Sequence, residues 1–192
     1  GFAPVRDDDH DKLISLMEGV EDIPEVVLTE GLDWQWNTFS EYLQILENRS
    51  YDMDIGAQIP HGALRLYVMG QRGADREIAT DDDIKEMAKI SAEAIEAGAI
   101  GFTTSRTIFH KTSKGELVPS FDAAGKELIK IAEEIGKTGK GVLQLVSDFL
   151  GGYEEFKMLE EMVKTSGRPL SITLAQTDGT KYGYKDLLNW IE

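Results

Sequence analysis

The sequence predicts an α/β fold, part of a parallel (β/α)8 barrel, and three observations carry that expectation. The stretch TDDDIKEMAKISAEAIEAGAIGFTTS, residues 80–105, joins one amphipathic helix to one short apolar strand. The same module recurs twice more downstream and begins a further time near Tyr184. A glycine stands at each helix end that leads into a strand, where a left-handed residue is needed and only glycine meets no steric penalty. Helix, glycine and strand in unbroken alternation describe parallel strands joined by helical crossovers.

Thr80 with Asp83 forms a carboxylate version of the capping box, and three aspartates after Thr80 suit the positive end of a helix dipole. Ile84, Met87, Ser91, Ala94 and Ile95 share one face, with Lys85, Glu86, Lys89, Glu93 and Glu96 mostly opposite. Gly98 stops this helix, and Ala99 to Thr103 reads as a strand buried on both faces. Residues 121–139 repeat the pattern with Leu128, Ile131, Ala132 and Ile135 inward, followed by a strand from Gly141 to Val146. Residues 153–166 repeat it again with Phe156, Leu159, Met162 and Val163 inward, and Gly167 precedes the strand Pro169 to Leu174.

Upstream, Leu13, Ile14, Leu16 and Met17 mark a short helix ending near Gly19. Residues 20–36 read as an ordered loop, with Pro24 and Gly31 as breakers. Thr38 or Ser40 caps a helix that turns Phe39, Tyr42, Leu43 and Leu46 inward. A strand at 53–59 ends in Pro60, His61 and Gly62, and residues 70–77 form a polar turn. Four strands are thus expected, near 53–59, 99–104, 141–147 and 170–175. A full barrel uses eight such units in about 250 residues. Four make half a barrel with two open sheet edges. No dinucleotide-type glycine loop sits between a strand and a helix, which argues against a doubly wound sheet and a flavin or nicotinamide enzyme.

Composition narrows the function. The 192 residues read as one domain, with 41% apolar residues and no apolar run long enough to span a membrane. A net charge of −15 excludes nucleic acid and anionic membranes as partners, because both require a basic face. Zero cysteines exclude disulfides, thiolate metal sites and cysteine nucleophiles within these residues. The opening GFAPVRDDDH has neither the basic start nor the apolar core of a signal peptide, so a cytoplasmic location is expected. The absent initiator methionine and a last helix still amphipathic at its end (Leu187, Leu188, Ile191) read as cuts through a longer protein.

Candidate site residues lie at the carboxyl ends of the strands, where barrel enzymes keep their chemistry. His61 follows the first strand. It reads either as part of an active-site floor or, preferably, as a histidine hydrogen-bonding the next strand's backbone and fixing a turn with Gly62. Thr103, Thr104, Ser105 and Arg106 end the second strand and offer hydroxyls and a guanidinium suited to a substrate carboxylate; equally, they cap a turn and pair with surface acids. Gln144 and Gln176 lie in or after apolar strands, and Asp148 ends the third. Each points into the barrel mouth or pairs with neighbouring backbone. His110 and Lys111 read as solvated loop residues. Asp7, Asp8, Asp9, His10 and Asp11 lack the spacing and central glycine of a calcium loop and read as a solvated helix start. Trp34 and Trp36 read as core. His10, His61 and His110 form no paired metal motif, so no catalytic residue and no metal ligand is assigned within the chain.

Several stretches together resemble the N-acyl-D-amino-acid deacylase (D-aminoacylase) family of the amidohydrolase superfamily: GFAPVR at 1–6, LMEGVEDIP at 16–24, QIPHGALRLYVMG at 58–70, GAIGFTTSRTIFH at 98–110 and GKGVLQLVSD at 139–148. The resemblance implies a zinc-bearing (βα)8 barrel that hydrolyses the amide of N-acyl-D-amino acids, with this chain supplying barrel strands three to six. It places a His-x-His pair and a cysteine before Gly1 and a water-activating aspartate beyond Glu192. It also implies histidines at the ends of strands five and six, where residues 143–146 and 172–175 have none. The chain alone is therefore expected to be inactive. The alternative is a non-catalytic half-barrel that closes its open edges by homo-oligomerisation.

Overall fold

The structure is a computed structural model that describes residues 1–174 and 184–191. Its centre is a four-stranded sheet of β1 (Gln58–Pro60), β2 (Gly101–Arg106), β3 (Val142–Ser147) and β4 (Leu170–Thr173), all parallel and in the order β1-β2-β3-β4. The helices are α1 (His10–Glu21), α2 (Glu25–Gly31), α3 (Phe39–Glu47), α4 (His61–Met69), α5 (Gln71–Ala74), α6 (Asp81–Glu96), α7 (Gly125–Lys137), α8 (Tyr153–Ser166) and α9 (Tyr184–Ile191). Strands added in sequence order through right-handed crossovers put the connecting helices on one side of the sheet. α6 packs on α7 and α7 on α8. That arrangement is the partial (β/α)8 barrel expected from the sequence.

The capping chemistry works as read. Thr80 Oγ1 accepts from the Asp83 amide at 3.2 Å and the Asp83 carboxylate accepts from the Thr80 amide at 2.8 Å. Thr38 and Glu41 form the same reciprocal box on α3. Gly167 closes α8 at φ 64°, a left-handed position where a side chain would be strained.

The strands are less symmetric than expected. Ile59, Phe102, Thr104, Leu143 and Leu145 are buried against the helix layer. Pro60, Thr103, Gln144 and Ser171 stand side by side in register on the opposite face, as do Ser105, Val146 and Thr173 one step further along. Ser171 and Thr173 are exposed. This second face is partly covered over β1 and β2, where α1 approaches it, and open over β4, where nothing among the described residues covers it.

Four local expectations are corrected. Residues 20–36 are not all loop: Pro24 sits at the N-cap of α2, where its fixed φ suits a helix start, and Val26 and Val27 on that helix are exposed. The strand expected at 53–59 shortens to Gln58–Pro60 and runs directly into α4. The helix expected from Phe121 begins at Gly125. Gln71–Ala74 forms one helical turn inside the polar turn expected there.

Candidate functional site

A cavity of about 150 Å³ opens at the carboxyl ends of β1 and β2. Leu16, Met17 and Val20 of α1 bound one side, and Pro60, Thr103, Ser105 and Val146 of the sheet bound the other. His61 and His110 complete it. Gly19 lets α1 approach this closely: a Cβ there would strike the backbone of Lys111, Thr112 and Ser113. Ser113 N donates to Ser15 O at 2.9 Å, and the two serine hydroxyls meet at 2.8 Å.

His61 lies at the floor, wholly buried at the first residue of α4. Its Nε2 lies 2.7 Å from Glu127 Oε1, and its Nδ1 lies 2.9 Å from Thr104 Oγ1. Arg65, one turn along α4, gives Nη1 to both oxygens of Glu127 and Nη2 to the Glu77 carbonyl. Burial pushes the His61 imidazole below its ordinary range, against the pull of Glu127, while the charges of Arg65 and Arg106 push the same way as burial. Burial pushes the Glu127 carboxyl up, but its bonds and charge interactions with His61 and Arg65 outweigh this and hold it below the usual carboxylate range. The consistent state is an Arg65–Glu127 ion pair beside a neutral His61, which donates through Nε2 and accepts the Thr104 hydroxyl at Nδ1. His61 thus bonds the next strand, as its structural reading held, but through a side chain rather than backbone.

Strand alternation divides the residues 103–106. Thr103 and Ser105 lie on the cavity side of the sheet. Arg106 is held elsewhere: its Nε donates to Glu155 Oε1 at 2.8 Å and its Nη1 to the Ala123 carbonyl at 2.8 Å, while Ser147 Oγ donates to the same Glu155 oxygen at 2.7 Å. Gln144 stands between Thr103 and Ser171 on the half-exposed face. Asp148 accepts from Thr107 Oγ1 and from the Ile108 amide, both at 2.7 Å, so it clamps the loop after β2 to the end of β3. Gln176 lies outside the described residues.

His110 corrects its reading as a solvated loop residue. It is half-buried, lines the cavity, and its Nδ1 lies 2.8 Å from Ser105 Oγ. Within the acidic segment, Asp7, Asp8 and Asp11 are exposed as expected, but Asp9 is buried and pairs with Lys12 at 2.6 Å. His10 stacks on Trp34 with ring centroids 4.3 Å apart.

The sequence reading missed Glu127. Its signal was available: Glu127, Ile131 and Ile135 recur every four residues, so a carboxylate sits on the buried stripe of α7 and must be paired.

Among the described residues, no three histidine, cysteine, aspartate or glutamate side chains converge to hold a metal ion. Both ring nitrogens of His61 and both carboxylate oxygens of Asp148 already have partners. The described residues do not fit a zinc site. No helix among them is long and apolar enough to cross a membrane.

A parallel half-barrel with a cavity at the carboxyl ends of its strands is the geometry of a (β/α)8 barrel segment. The amidohydrolase family profile matches residues 3–192, and the chain belongs to that family. It is 28% identical over 141 residues to uncharacterised proteins of Mycobacterium tuberculosis and Mycobacterium bovis, covering 69% of this chain and 23% of those proteins. It is 27% identical over 116 residues to a D-aminoacylase of Alcaligenes xylosoxydans xylosoxydans, covering 60% of this chain and 22% of that enzyme. The chain therefore spans under a quarter of the length of these relatives. No solved structure matches it.

Proposed function

We propose that this chain is the central wall of a longer amidohydrolase that cleaves the acyl amide of N-acyl-D-amino acids. The similarity to a D-aminoacylase, within a family match that runs almost end to end, carries the reading. The open face supports it, since Thr103, Ser105 and Gln144 offer hydroxyl and amide groups on one side of the sheet, the kind that hydrogen-bond an amide and a carboxylate. Zinc belongs in this reading to ligands supplied by the rest of the longer protein. The chain alone is then inactive toward these amides.

The test compares the longer protein with residues 1–192 on paired N-acetyl-D- and N-acetyl-L-amino acids, with and without added zinc. The reading expects turnover of the D series by the longer protein and none by the isolated chain. Turnover of neither series by the longer protein would remove the substrate assignment.

A second reading rests on the edges. β1 and β4 each pair on one side only among the described residues, and unpaired parallel edges favour association. In that reading the chain is a structural module that self-associates.

A further inference from the structure

The Ser105–His110 contact is held from several sides. Ser120 Oγ donates to the Ser105 carbonyl at 2.9 Å, fixing the end of β2. His110 sits at the base of a short hairpin closed by the Lys111–Leu117 bridge, and its carbonyl accepts from the Val118 amide. Glu21, at the end of α1, lines the same cavity. Its charge draws a proton toward His110, as does that of Asp148, while burial works against both and leaves the imidazole below its ordinary range. A neutral ring with its proton on Nε2 presents Nδ1 to the Ser105 hydroxyl.

We propose that Ser105 and His110 form a nucleophile–base pair that accepts a short acyl group from an activated ester, within this chain and without a metal. Ser105 Oγ bonds to the carbonyl carbon as its proton passes to His110 Nδ1. The carbon–oxygen bond to the leaving group then breaks, and His110 returns the proton to the departing oxygen. Water next attacks the acyl-serine, giving its proton to His110, and Ser105 Oγ leaves and takes that proton back. Thr103, two residues earlier on the same face, adds a second hydroxyl to the cavity lining, about 7 Å along the strand. The volume of about 150 Å³ admits an acyl group of a few carbons, and Glu21 at the wall disfavours an anionic one.

The inference is independent of the amidohydrolase reading, so the test is run in EDTA. The purified chain is treated with a fluorophosphonate probe and with p-nitrophenyl acetate, and labelled peptides are mapped by mass spectrometry. Labelling is expected at Ser105, absent in Ser105→Ala and slowed about a hundredfold or more in His110→Gln, the low end of a general base's usual contribution. The wild-type labelling rate should rise with pH through one ionisation below the ordinary histidine range, a readout that stands even where a variant fails to fold. An unlabelled Ser105, or a rate that is flat with pH and equal in His110→Gln, overturns the proposal.

Discussion

His61 Nε2 and Arg65 Nη1 converge on one carboxylate, at 2.7 Å and 2.6 Å from Glu127 Oε1, and no atom of the three side chains is appreciably exposed. This junction ties the start of α4, the buried stripe of α7 and, through Thr104, strand β2 into one unit beneath the cavity. Removing one partner of such a pair leaves an uncompensated buried charge, which costs about 3–5 kcal/mol. Glu127→Gln should therefore lower the melting temperature by roughly 6–20 °C for a chain of this size. Replacing His61, Arg65 and Glu127 together by Leu, Met and Leu should cost less than Glu127→Gln alone, since no charge is then stranded. Thermal unfolding of both variants checks this, and the reverse order would show that the ion pair itself supplies the stability.

Acid should destabilise the fold in two stages. His61 titrates lower when folded than its unfolded value of about 6.5, so below that pH the unfolded chain takes up a proton the folded chain refuses. Stability then falls as pH drops from about 6.5. Asp83 is held at about 2 because its bonds to Arg72 and Thr80 outweigh the burial that pushes it up. Its contribution, about 1–2 kcal/mol for a side chain 13% exposed, is complete above the ordinary carboxylate value and lost as pH falls toward 2. Melting temperatures measured from pH 7.5 to 3 should show both stages. His61→Gln should reduce the upper one, leaving the share that His110 contributes, and Asp83→Asn should flatten the lower; unchanged slopes would contradict the assignment.

Gly19 should control the cavity more than the fold. Its missing Cβ is what allows α1 to lie on the backbone of residues 111–113. Gly19→Val forces that contact apart and displaces the hairpin that carries His110. We expect a far-ultraviolet spectrum close to wild type and a melting temperature within several degrees of it, together with a marked loss of Ser105 labelling by the fluorophosphonate probe. Labelling at the wild-type rate would mean that α1 does not set the position of His110.

Much of the fold was legible because its signals are local. Thr80 and Asp83 cap α6 within three residues, Gly98 ends it, and α8 runs over the residues its apolar spacing marked. The errors arose where one residue has two meanings. Pro24 breaks a preceding element and also starts a helix, so α2 was read as loop. Pro60 ends β1, and the helix begins at the next residue with no intervening loop to mark it. The site was less legible because it is assembled from distant parts. Nothing near His61 points to Glu127, 66 residues away, and Ser105 meets His110 only because the chain turns back after β2. Strand alternation could have shown that Thr103 and Thr104 face opposite ways.

The two sheet edges yield a last prediction. β4 carries Ser171 and Thr173 exposed on its open face and pairs only with β3 among the described residues. An unpaired parallel edge is a template for another strand, and natural sheets blunt it with charge. β4 itself has none, for Leu170, Ser171, Ile172 and Thr173 are all neutral. The chain's net charge of −15 opposes association at a distance, but salt screens it beyond about 8 Å at physiological ionic strength, whereas strand pairing acts at contact. Light scattering in 150 mM salt should therefore find a mass above that of the monomer at tens of micromolar, falling as salt is removed. Thr173→Lys, which places a charge on the exposed edge without touching the buried face, should return it to the monomer. A monomer at every salt and protein concentration would show that the edges are protected within the chain itself and would discard the self-association reading.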